Sequence, residues 1–202
     1  MDILKEVKNR TRPWHDEMEA VAFSDKIAAG NLSLHQYKAI ILGHYLFHRE
    51  AERQLVSHQY LLTPEGLVLE DRLKSGLLAQ DVEQLQLRPY LFDFQLHLDT
   101  DSLAKALGCM YVMEGATLGG TVIERSLSKV SAIRSSGAMH YYGCYGEQTG
   151  RRWKQFREII VQNVVSEEEA QEFINTATAT FRAYAGCMEA AKRQLHINVS
   201  SP

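Results

Sequence analysis

Apolar residues recur at three- and four-residue spacing through most of this chain, and the two residues that break such a pattern are scarce, with 4 Pro and 13 Gly in 202 positions. That periodicity belongs to amphipathic helices. No alternation of apolar and polar residues lasts beyond a few positions, so the expectation is an all-α, single-domain, multi-helix fold of about seven helices around one core. Residues 1–197 form the expected domain, and 198–202 are expected to be a disordered tail.

Charge and cysteine usage narrow the function classes. Against 22 basic residues stand 25 acidic ones, a formal charge of −3, which offers no overall basic field for nucleic acid. Apolar stretches such as Leu107 to Met113 fall short of the ~18 residues a bilayer span needs, and the N-terminal twenty residues are too charged for a signal peptide. A cytoplasmic protein is expected. Cys109, Cys144 and Cys187 are odd in number and form no Cys-x-x-Cys pair, which disfavours disulfides and structural zinc.

Ser33 reads as the N-cap of a long helix to about His58. Thr63-Pro64-Glu65 reads as the start of another, with Pro64 at the first helical position. Pro89 interrupts a helix expected at roughly Val82 to His97, and Asp99 to Ser102 make a turn and cap. A helix starting near Leu103 carries Gly115, Gly119 and Gly120 in its middle, at ~1 kcal/mol each relative to alanine. A loop from Ser135 to Gly150 precedes two final helices, at about Gln148 to Val164 and Glu167 to His196.

Two constellations could carry chemistry. Lys8, Thr11, His15 and Glu19 share one face of a continuous helix. A histidine there can ligate iron through one ring nitrogen while a carboxylate such as Glu19 receives the other N–H. By spacing alone, a solvated face with an ordinary histidine is the simpler reading. The second is Tyr111-Val112-Met113-Glu114-Gly115-Ala116-Thr117-Leu118-Gly119-Gly120, where small residues let another body approach the backbone. A flat ligand and a neighbouring helix are equally good candidates for that body.

Taken with Tyr-Gly-x-x-Thr-Gly-Arg-Arg-Trp-Lys-Gln-Phe at Tyr145 to Phe156, these segments resemble the heme oxygenase family, particularly its bacterial branch, in order along nearly the whole chain. The resemblance implies heme held between a proximal and a distal helix as both cofactor and substrate. Heme would be cleaved at a meso carbon to biliverdin, carbon monoxide and ferrous iron, with oxygen and electrons from an external reductase or ferredoxin. It makes His15 the iron ligand, Glu19 its hydrogen-bond partner, and Gly115, Ala116, Thr117, Gly119 and Gly120 the distal segment. Propionates require cations or donors: Lys8 and Lys154 are implied most directly, followed by Arg157, Tyr111 and the neighbouring Thr11. Arg151 and Arg152 belong either to a docking patch for an acidic electron donor or to a solvated face.

Two features depart from the mammalian-type pattern. Ala116 stands where those enzymes carry a water-holding aspartate, and Glu114, about 200° around the helix, cannot replace it; Thr117 is the candidate to order water instead. Pro13 removes a backbone donor two residues before His15, and could end one helix and let Thr11 cap another, displacing Lys8 from the axis of His15. Other readings are a non-catalytic heme carrier or sensor, a di-iron oxygenase using His44, His48, Glu50, Glu52 and His58, and a thiaminase-like enzyme. The chain has no Glu-x-x-His pair for the second and no activated cysteine for the third, and His44 and His48 are expected to be satisfied histidines. The sequence is compatible with a monomer or a dimer.

Overall fold

Side-chain caps mark the starts of four of the long helices. The structure, a computed structural model, describes residues 2–89 and 96–197; the expected tail at 198–202 lies outside the described residues. Asp2 caps α1 (Ile3–Val21), and a short α2 (Ser24–Ala29) follows. Ser33 and Gln36 exchange side-chain and backbone hydrogen bonds in a capping box that starts α3 (Leu34–Ser57), as the N-cap reading required.

Thr63-Pro64-Glu65 ends a helix instead of starting one. These residues form a 3₁₀ turn closing α4 (Gln59–Leu62), and Gly66 in the left-handed region (φ 74°) stops it. The Thr63 hydroxyl donates backwards to the Gln59 carbonyl, which is why it does not cap forwards. A second 3₁₀ turn, Leu69–Arg72, leads to α5 (Ser75–Gln84). The first N–H groups of α5 are met by the Glu52 carboxylate reaching across from α3, a cap that local sequence does not reveal. The helix expected at Val82 to His97 is not formed as such: α5 stops at Gln84, Leu96 to Thr100 is irregular, and 90–95 lie outside the described residues.

Ser102 caps α6 (Leu103–Gly115). After a break come α7 (Gly120–Leu127), a short α8 (Ser131–Ser136) that ends where the expected loop begins, α9 (Thr149–Asn163) and α10 (Glu167–Gln194). α10 is the centre of the bundle, packing on α6, α3 and α1. Its buried residues Phe173, Ala177, Phe181, Tyr184 and Met188 follow helical spacing, and Tyr184 stacks on Phe47 of α3 at 3.8 Å. Gly108 of α6 sits so close to the Phe173 carbonyl that a Cβ there would overlap it.

Leu103–Leu127 is apolar over a longer reach than the expected short stretches, and by length and composition could cross a membrane. Here it is the bundle's core segment, interrupted after Gly115 and packed on α10.

Candidate functional site

Proline inside a helix costs about 3 kcal/mol, yet α1 runs unbroken through Pro13. Thr11 does not cap a second helix: buried, it donates its hydroxyl to the Val7 carbonyl at 2.7 Å. Thr11 thus lies on the core side of α1 with its hydroxyl donor already used. Lys8, exposed, stays on the same helix and the same side as His15. Beyond Thr11 no α1 residue is buried. The His15 side chain is 54% exposed and meets Phe181 of α10 edge-on at 5.8 Å. Its Nδ1 lies 3.8 Å from Asp16 and 3.9 Å from Glu19, longer than a hydrogen bond, so one ring nitrogen can bind a ligand atom while Glu19 is placed to take the other N–H.

The glycine run resolves into two roles. Gly120 is a packing glycine, because a Cβ there would lie 2.8 Å from the Tyr142 carbonyl oxygen. Gly115 and Gly119 are not crowded: among the described residues, added Cβ atoms would meet only Trp153 at 3.8 Å and Ile123 at 3.4 Å. Between them the chain tightens, with Thr117, Leu118 and Gly120 each donating to a carbonyl three residues back. Leu118 and Val122 beside this break are exposed apolar side chains. Ala116 is half-buried, and the Thr117 hydroxyl donates to the Glu114 carbonyl at 2.7 Å, so toward water it can only accept.

Glu114 turns away from this face into a buried network that sequence reading missed. Its carboxylate accepts from Arg72 at 2.5 Å, Lys74 at 3.0 Å and the Tyr145 hydroxyl at 2.7 Å. Burial pushes its pKa up, but the Lys74 and Arg72 charges and the hydrogen bonds outweigh that and hold it below the ordinary glutamate range. Arg72 and Lys74 are 42 and 40 residues away, so no motif signals them.

His44 and His48 are satisfied interior residues, as expected. His44 meets the Tyr184 and Tyr142 hydroxyls, and His48 meets Glu52 and Tyr141. Burial lowers the pKa of both; the neighbouring His48 adds to this at His44, while Glu52 opposes it at His48. They are neutral at pH 7, committed to phenols and a single carboxylate, and do not form a di-iron site with Glu50 and His58.

The basic run on α9 divides between two flanks. Arg157 lies near Tyr111, whose pKa burial raises and Arg157 partly restores; Tyr111 is half-buried between Trp153 and Phe173. Lys154 is 80% exposed, 3.9 Å from Glu158. Arg151 and Arg152 point instead to the 3₁₀ turn Leu69–Arg72, where Arg152 donates to the Asp71 carbonyl at 2.8 Å.

This arrangement has known counterparts. The family model described as heme oxygenase matches residues 1–190. A heme oxygenase of Xanthomonas campestris pv. campestris (strain 8004) is 28% identical over 170 residues, covering 83% of this chain and 97% of that protein. Among solved structures, the NO- and CO-bound heme oxygenase of Neisseria meningitidis superposes with a TM-score of 0.74 at 18% identity, over 98% of this chain and 94% of that one. The heme oxygenase of Leptospira interrogans gives 0.76 at 14% identity, over 94% and 100%; at such identities the likeness is one of fold. The all-α fold is thus the one heme oxygenases adopt, and the chain belongs to the heme oxygenase family. It is a heme-degrading enzyme.

Proposed function

We propose that this chain binds heme between α1 and the α6–α7 break and opens it at a meso carbon to biliverdin, carbon monoxide and ferrous iron. Electrons would come from an external reductase or ferredoxin, in the cytoplasm. The observation that carries the reading is the exposed His15 ring set against Phe181 on the half of α1 that carries no fully buried residue, in a chain that also keeps Gly115 and Gly119 uncrowded.

His15 is the iron ligand, with Glu19 orienting the imidazole and raising its basicity. Bound heme supplies the redox chemistry, activating oxygen against its own ring. What the chain adds is position and exclusion. Gly115 and Gly119 leave room at the backbone for a flat ring and a small diatomic, while Leu118 and Val122 cover apolar ring surface. Ala116 offers no donor and the Thr117 hydroxyl donates to its own helix, so ordered water delivers protons here. Lys8, Lys154 and Arg157 are long, exposed cations suited to propionates at a solvent-facing edge, with the Tyr111 hydroxyl as a further donor.

The test is an absorption time course of the hemin complex in air, with ascorbate as reductant and catalase to remove free peroxide. Loss of the Soret band with a rising biliverdin band is expected. His15→Ala should abolish normal turnover and recover part of it with added imidazole. A Soret band that persists unchanged through reduction would make the protein a heme carrier.

A further inference from the structure

On the flank of α9 opposite Lys154 and Arg157 lies a cleft of about 340 Å³ that the heme chemistry does not use. Arg151, Arg152 and Gln155 on one face of α9, with Gln148 just before the helix at the same spacings of three and four, close it against Asp71 and Arg72. Three guanidinium residues thus line one small space, and Asp71 is the one carboxylate residue lining it among the described residues. In a chain of net charge −3 this local excess of cations stands out. Glu114 is shared by Arg72 and Lys74, and Arg151 and Arg152 make no ion pair among the described residues, so uncompensated positive charge remains at close range.

Two of the three are held in place before any ligand arrives. Arg72 is 5% exposed: one of its nitrogens donates to Glu114, and among the described residues the rest of its guanidinium donates no hydrogen bond. Arg152 is fixed by its bond to the Asp71 carbonyl and by stacking on the Tyr145 ring at 4.7 Å. Arg151 is exposed and makes no ion pair among the described residues. A buried guanidinium with unused donors, a second one preset by stacking, an exposed third and two amide side chains are what recognition of a tetrahedral or planar oxyanion requires.

We propose that this cleft is an oxyanion site, separate from the heme propionate contacts, that takes a phosphate or carboxylate group. Because Arg72 also holds Glu114, an anion here would bear on the residue that precedes Gly115.

Calorimetric titration of the heme-loaded protein with inorganic phosphate, and in parallel with citrate, tests this at ionic strength matched by sodium chloride. One-site binding above the chloride control is expected, weakened roughly tenfold or more by Arg151→Gln and by Arg152→Gln, and unchanged by Lys129→Gln in the turn after α7, which does not line the cleft. Tighter phosphate than citrate assigns a phosphate-bearing ligand; the reverse order assigns a carboxylate. Heats equal to the chloride control, or binding that both arginine variants leave intact, overturn the proposal.

Discussion

Replacing Glu114 by glutamine removes one negative charge from a buried set and keeps its shape. The carboxylate receives three hydrogen bonds, from Arg72, Lys74 and Tyr145. Glutamine offers one acceptor oxygen and turns an NH2 toward groups that are themselves donors, so Arg72 and Lys74 lose their shared counter-charge and one of them also its hydrogen bond. Removing one member of a buried ion pair costs about 3–5 kcal/mol, which for a chain of this size lowers Tm by roughly 6–20 °C. Urea unfolding at pH 7 reads the same loss as a lower midpoint with an unchanged slope. The pH dependence supplies the sign. The pKa of Glu114 is depressed in the fold, so its stabilisation is fully present above the unfolded value near 4.3 and is lost as pH falls through the lower, folded value. The difference between the two proteins should therefore shrink in acid. A loss at pH 7 below about 1 kcal/mol, the range of an exposed pair, or a gap that stays constant down to pH 3, would refute the reasoning.

Other outcomes follow from the same geometry. Gly120→Ala should cost about 1–3 kcal/mol by overpacking against the Tyr142 carbonyl, read by thermal unfolding. Gly115→Ala, with Trp153 at ordinary contact distance, should leave Tm nearly unchanged and alter the rate or regiochemistry of biliverdin formation, separated by chromatography of the products. Thr11→Val should lose about 1 kcal/mol through its buried hydroxyl while the heme spectrum stays the same. Cys109 and Cys187, both buried and with thiols pushed up to about 12, should resist iodoacetamide at pH 8 until the protein is unfolded, as counted by mass spectrometry.

What could be read from sequence was whatever is local. Ser33 with Gln36 and Ser102 with Lys105 are caps written within four residues, and the helices they begin stand where expected. The start of α5 was illegible because its cap, Glu52, comes from another helix. Thr63-Pro64 misled because a threonine hydroxyl can serve either direction, and the preceding turn captured it. In the candidate site, the histidine and the glycines were visible as residue types, but not the division of labour among them. Gly120 differs from Gly115 only by what the loop at Tyr142 brings near it. The Arg72–Lys74–Glu114–Tyr145 network joins three separated stretches, beyond the reach of any spacing rule. Arg151 and Arg152 could be set apart from Lys154 and Arg157 in the sequence, but not what they face, because the Asp71 carbonyl that Arg152 meets is 81 residues away.

The uneven burial of α1 makes that helix a cantilever. Its first three turns are rooted in the core by Ile3, Val7 and Thr11, and the half bearing His15 extends from that root with only partly covered side chains such as Trp14 and Met18 against the bundle. Segments with few buried contacts open locally at a small fraction of the global unfolding free energy. A ligand gripping His15 therefore acts as a strut on the free end, and each tenfold of its concentration above Kd adds about 1.4 kcal/mol to the closed form. Proteolytic susceptibility between Pro13 and Val21 would then report heme occupancy directly, without any spectroscopic handle.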